Sequence, residues 1–405
     1  MNVDGRDYWT PSYDGGGFLN LMVSIGRACG ANELPYAPLS GVDTKDWGRA
    51  RNLILLLVDG LGADYLARHG GFLCRQQVAV LTSVCPTTTA AAIPTAMTGL
   101  APAAHALTGW HVYILELDAV TAVLPMVGRG LALPDHPAGE PGNLFGYPTL
   151  FQQLTRPSRV VSPEHLSDSR FSVFHANGAC RLPYHRDPFP SPGSMPFLRR
   201  RQDMFGILRR CCHEPGPPRF TYAYWPFFDT VAHDEGIAAP KTLDRFRQFE
   251  QGFEEFLQSV RGTDTMVIVT ADHGFIDSPA QRQIDLGDHP ALAEFLLRPL
   301  CGERRFAYCY VRPGAHRDFE DYVADAFPGA MEAWSRSRLL DEEWFGPGPM
   351  NARLPGRIGD YVLAMKDDWT IRDQVPGEKP VDMVGVHGGL SVAEMHIPLC
   401  VAWDA

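Results

Sequence analysis

Residues 52–62 read NLILLLVDGLG: six aliphatic residues follow Asn52 and run straight into Asp59 and a glycine-rich turn. A strand with one face in water alternates apolar and polar side chains, whereas one covered on both faces of a parallel sheet is apolar throughout. Asn52–Val58 therefore reads as a central strand. Asp59 then stands at its carboxyl end, the edge at which open α/β sheets gather ligands. The pattern recurs along the chain. Gln77–Leu81 leads through Pro86 into Thr87–Gly99, TTTAAAIPTAMTG. Arg219–Trp225 leads into Asp229 and His233, and Met266–Thr270 into Asp272 and His273. His396–Ala402 reads as a last buried strand, reached through a glycine-rich loop that carries His387. Between them, Phe18–Cys29 and Thr242–Val260 have helical periodicity, the second with Phe246, Phe249, Phe253 and Phe256 on one face. Strands alternating with helices predict an α/β fold with a mostly parallel central sheet. The Pro- and Gly-rich stretch over about 110–200 reads as excursions forming a small embedded cap, within a single catalytic domain spanning 1–405.

Composition narrows the function. The net charge of −11 argues against a nucleic-acid backbone as the main partner. It also means that an anionic substrate needs local cations to reverse the field. The nine cysteines are scattered, odd in number and without a CxxC pair, as expected of buried thiols in a reducing compartment. The opening MNVDGRDYWTPSYDGGG lacks a basic segment followed by an apolar one, and no apolar run reaches the ~18 residues of a membrane span. The expected setting is the cytoplasm, with no membrane and no nucleic acid as partner.

The strand ends carry the chemistry. Asp59, Asp229, His233, Asp272, His273 and His387 form a mixed oxygen and nitrogen set suited to Zn²⁺, or to Mn²⁺ or Fe. Six such ligands are too many for one tetrahedral ion, but two ions would use them all. The threonine cluster lies where a strand-to-helix turn lifts a side chain above the sheet beside free backbone N–H groups. Taken singly, a DxxxH or DHG is an ordinary turn, and three threonines before a helix are ordinary caps. Their joint placement beyond buried strands is what points to a site.

The ordered set resembles the alkaline phosphatase superfamily, and within it the type I phosphodiesterase/nucleotide pyrophosphatase family. The matching pieces are LLLVDGLG (55–62), MTGLAPAAH (97–105), DTVAH (229–233), TADHG (270–274) and GVHGG (385–389). The resemblance implies a three-layer α/β/α sandwich and two divalent metal ions, most simply Zn²⁺. One ion would be held by Asp229, His233 and His387. The other would be held by Asp59, Asp272, His273 and the nucleophile Thr89, which stands ten residues before Gly99, the family's spacing. A threonine hydroxyl becomes a competent nucleophile when a metal lowers its pKa, and a covalent phospho-threonine would then form and be hydrolysed. The N–H of Ala90 could hold a phosphoryl oxygen. One departure stands out: the family usually carries Asn three residues after the nucleophile, and this chain has Ala92. Replacements could come from Thr108–Tyr113 or from the excursion up to Arg200, with Arg181 and His185 as candidates.

The implied activity is hydrolysis of a small phosphodiester or nucleotide pyrophosphate; a homodimer is compatible with it. Alternatives are a phosphomonoesterase, a phosphonoacetate-hydrolase-like C–P hydrolase, a phosphoryl transferase and a binding module without catalysis. His105 and Asp64 read as structural, and Asp285, Asp288 and His289 as a loop cluster. Arg199–Arg201 reads as a solvated face.

Overall fold

A computed structural model describes residues 8–31, 34–130, 132–133, 139–185, 203–379 and 381–404. Its centre is a seven-stranded sheet in the order Gln77–Thr82, His396–Asp404, Thr265–Thr270, Asn52–Val58, Arg219–Trp225, Ser158–Pro163 and Ala179–Tyr184. The inner pairs run parallel, and His396–Asp404 alone is antiparallel to its neighbours. Asn52–Val58 and Thr265–Thr270 are buried along their whole lengths, as their unbroken apolar sequences require. The expected helices form over Phe18–Ala28 and Pro240–Ser259, and the second buries Phe246, Phe249, Phe253 and Phe256. This is the mixed α/β fold with a large, mostly parallel central sheet that the pattern predicts.

The described residues of the stretch 110–200 are shared between two sheets. Ser158–Pro163 and Ala179–Tyr184 are strands of the central sheet itself. His111–Ile114, Ala119–Ala122 and Val127–Gly128 instead join a second seven-stranded sheet, wholly antiparallel, with Cys301–Glu303, Phe306–Cys309, Met331–Ser335 and Tyr361–Met365. That sheet is assembled from pieces almost two hundred residues apart, several only two to four residues long, so no local periodicity announces it. Residues 188–196 and Arg199–Arg201 lie outside the described residues.

One buried ion pair joins the second sheet to the glycine-rich loop. Arg305 meets Glu394 in a two-pronged contact, Nε to Oε1 at 2.7 Å and Nη2 to Oε2 at 2.9 Å, with both side chains removed from water. Glu394 also accepts from the Gly389 N–H, and the Gly389 carbonyl accepts from the Thr87 hydroxyl. Arg305 thus helps fix both segments that carry Thr89 and His387. Replacing one partner strands a buried charge. Arg305→Met is expected to cost roughly 3–5 kcal/mol, and the Arg305→Met/Glu394→Met double variant clearly less. Urea unfolding midpoints of the two variants test this ordering.

Candidate metal centre and active site

The six acidic and imidazole residues and Thr89 all sit beyond the carboxyl edge of the central sheet. Asp59 follows Val58 directly, and Gly60 then turns with φ +76°, a conformation that side chains resist. That turn aims the Gly60 N–H at Asp272 Oδ1, 3.1 Å away. Asp229 and His233 lie four residues apart on the Phe227–Glu235 helix, so they share a face. Asp272 and His273 follow Thr270. His387 follows the short Gly385–Val386 strand, and its Nδ1 lies 3.1 Å from the Thr87 carbonyl. Thr89 opens the Thr89–Thr98 helix behind Thr88, whose hydroxyl caps it by accepting from the Ala90 N–H at 3.4 Å. The amide expected to hold a phosphoryl oxygen is therefore engaged, though by a long bond.

Asp59, Asp272 and His273 bring ligand atoms within 4.8 Å of one another, and so do Asp229, His273 and His387. His273 belongs to both groups and sits at their seam. Its Nε2 is 3.4 Å from Asp59 Oδ1, 3.5 Å from Asp272 Oδ2 and 3.1 Å from Thr89 Oγ1. Thr89 Oγ1 lies 3.3 Å from Asp59 Oδ1. His233 falls outside both compact groups, yet its Nε2 is 3.4 Å from Asp229 Oδ1. The rings of His273 and His387 stack with centroids 3.7 Å apart.

Three carboxylates this close, two of them buried and Asp229 partly so, are unfavourable without positive charge. Burial, and then repulsion from Asp229 and Asp272, pushes the Asp59 carboxyl well above its ordinary value. Burial likewise raises Asp229 against the pull of His233 and His273. Burial and the neighbouring His273 and His233 hold His387 well below the usual imidazole value, keeping its ring neutral and able to ligate. Asp229 Oδ1 and Asp272 Oδ2 are buried acceptors without a hydrogen-bond donor among the described residues. Orphaned carboxyl oxygens set among imidazoles are what divalent cations would satisfy, so the donor set fits them.

The geometry agrees with the comparisons. A model of type I phosphodiesterases/nucleotide pyrophosphatases matches residues 53–127 and 154–390. The chain belongs to that family. It is thus a phosphoric ester hydrolase of a metal-dependent family. No curated protein matches it at the sequence level. Murine ectonucleotide pyrophosphatase/phosphodiesterase 5 superposes with a TM-score of 0.61 at 16% identity over 86% of this chain and 87% of that one. Its inactive form in complex with AMP gives 0.62 at 17%, over 87% and 88%. Phosphonoacetate hydrolase from Sinorhizobium meliloti 1021, in complex with phosphonoacetate, gives 0.59 at 18%, over 87% and 90%. At these identities the likeness to the three structures is one of fold.

Against the family pattern, Ala92 is fully buried and offers no polar atom. Arg181 is engaged by Asp168 and the Ser167 carbonyl, and His185 by Glu164, so neither replaces the missing Asn. His105 is buried beside Thr95 and accepts the Leu107 N–H. Asp285 pairs with Arg372. The sequence reading missed two residues that shape this phosphodiesterase-family site. Tyr224 donates its hydroxyl to Asp59 Oδ2, and only the inward side of its strand could have signalled that. Glu303, from the second sheet, accepts from the Thr88 hydroxyl at 2.6 Å and from the Trp110 N–H at 2.7 Å. A cavity of about 990 Å³ runs from Thr89, Asp59, Asp229, His233 and His387 to Trp110, His111 and Glu303.

A raised carboxyl in the folded state binds protons that the unfolded chain has released, so its ionisation costs stability as pH rises above the ordinary value of 3.8. In chelator-stripped protein, Asp59→Asn is therefore expected to gain melting temperature relative to wild type, and the gap should widen from pH 4 towards neutrality. Added Zn²⁺ should reverse the order. A gap independent of pH would contradict this reading.

Proposed function

We propose that this protein cleaves phosphodiester or nucleotide pyrophosphate bonds through a covalent phospho-threonine at Thr89, with two divalent ions held by the seven residues named above. The observation that carries the reading is the Thr89 hydroxyl itself, set within hydrogen-bond reach of Asp59 and His273 at the mouth of a large cavity. When bound, the ions, most simply Zn²⁺, would supply the positive charge that acidifies the hydroxyl and stabilises the transferring phosphoryl group. The ligand sets favoured are Asp59, Asp272 and His273 beside Thr89, and Asp229, His233 and His387 opposite.

The chain's own residues do the rest. The Asp59 carboxylate orients the Thr89 hydroxyl, and Tyr224 in turn orients Asp59. Glu303 holds Thr88, which fixes the helix start and so the position of Thr89. The bond from Thr89 Oγ1 to phosphorus forms as the bond to the leaving oxygen breaks. Water then attacks the same phosphorus from the opposite side, the Thr89 Oγ1–phosphorus bond breaks, and the hydroxyl regains a proton. The murine relative supports a threonine role and a nucleotide substrate, since its form bound to AMP is inactivated by a single threonine-to-alanine change. All nine cysteines stay unpaired, in line with action in the cytoplasm.

A second reading, cleavage of a carbon–phosphorus bond, is favoured by the likeness to phosphonoacetate hydrolase and by Ala92 at the usual Asn position. Thr89→Ala is expected to lower turnover of bis-p-nitrophenyl phosphate about a thousandfold or more while leaving metal content within a factor of two. Retained turnover would overturn the nucleophile. Release of acetate from phosphonoacetate, with little diester turnover, would establish the second reading.

A further inference from the structure

Beyond the metal centre, the same cavity is lined by three arginines, Arg129, Arg304 and Arg372, and their partners are unequal. Arg129 is matched by Asp373 at 2.6 Å and Glu378 at 3.0 Å. Arg372 is matched by Asp285 at 3.1 Å and Asp382 at 2.8 Å. Each of these guanidiniums has two carboxylates and is held in place as structure. Arg304 differs. It lines the cavity half-buried, donates to the Val381 carbonyl, and makes no ion pair among the described residues. Lys379, exposed at the cavity wall, likewise has no carboxylate partner among them.

Position makes this surplus significant. Arg304 directly follows Glu303, whose carboxylate contacts Thr88, the residue before Thr89. Arg304 stands in the turn between Cys301–Glu303 and Phe306–Cys309, and it lines the same cavity as Thr89, Asp59 and Asp229. Two further facts agree. Burial and the charges of Arg129 and Arg304 push the neighbouring His111 down to about 3, so this lobe already disfavours another cation. Ala92 also removes the family's usual polar contact, so an anionic substrate needs a hold elsewhere.

We infer that Arg304, with Lys379 on the wall of the same cavity, forms a subsite for a second anionic group of the substrate, a phosphate or carboxylate beyond the phosphoryl group that Thr89 attacks. The inference rests on the reading of Thr89 and the metal centre given above and deepens it. The substrate class becomes a phosphoester or phosphonate with two anionic groups rather than a diester with neutral substituents. Arg304 matches either anion with paired N–H donors, a geometry that Lys reproduces only as a point charge.

The test compares metal-loaded wild type, Arg304→Met and Arg304→Lys on three substrates. Bis-p-nitrophenyl phosphate carries one anionic group and serves as reference; ATP adds phosphates, and phosphonoacetate adds a carboxylate. Arg304→Met is expected to lower kcat/KM for ATP or for phosphonoacetate, relative to the reference, by about tenfold or more, chiefly through KM. Arg304→Lys should recover part of the loss. The affected substrate identifies the anion. Equal losses on all three, or none, would overturn the subsite. If wild type turns over none of them, the proposed diester, pyrophosphate and carbon–phosphorus readings fail separately. Calorimetric binding of inorganic pyrophosphate then decides the subsite: about tenfold weaker binding in Arg304→Met supports it, and equal binding refutes it.

Discussion

Three carboxylates, the buried Asp59 and Asp272 and the partly buried Asp229, are held together, and the rest of the molecule makes sense as the means of keeping them there. Buried charges of one sign repel, and the ordinary escape is protonation. Here the imidazoles of His233, His273 and His387 crowd the same space, so relief by cations is chemically at hand. The parallel sheet makes the crowding unavoidable, because parallel strands all deliver their carboxyl ends to one edge. Asp59, Asp229 and Asp272 follow three adjacent strands of that edge. Their closeness is a consequence of topology before it is one of chemistry.

The second sheet turns this edge into a site. It reaches the threonine segment through Glu303 on Thr88 and the His387 loop through Arg305 on Glu394. Glu303, at the end of its strand, and Arg305, in the turn that follows, thus hold the two segments that bracket the reacting centre. The next side chain between them, Arg304, faces the cavity. Recognition and support are built from one piece of chain, and substitutions at 303–305 should differ sharply in what they disturb.

Much of this was legible in the sequence, and physics says why. Asn52–Val58 and Thr265–Thr270 carry the apolar runs Leu53–Val58 and Met266–Val269 because both faces are covered, so they announced themselves and fixed the positions of Asp59, Asp272 and His273. Asp229 and His233 were legible because helical spacing puts them on one face. The second sheet was not legible, since Cys301–Glu303 and Val127–Gly128 are too short to show a period and pair with partners far along the chain. Glu303, Arg304 and Tyr224 were missed for the same reason: their importance arises from contacts across the fold. Ser158–Pro163 and Ala179–Tyr184 carry polar and proline residues, so their sequences do not show that they belong to the central sheet.

The most direct measurement is the metal content of protein purified without chelator, for wild type, Asp229→Asn and Asp272→Asn. A cluster neutralised by two ions predicts about two equivalents of divalent metal per chain in wild type and loss of about one in each variant. Protein that holds no metal in wild type, or the same amount in all three, would contradict the account.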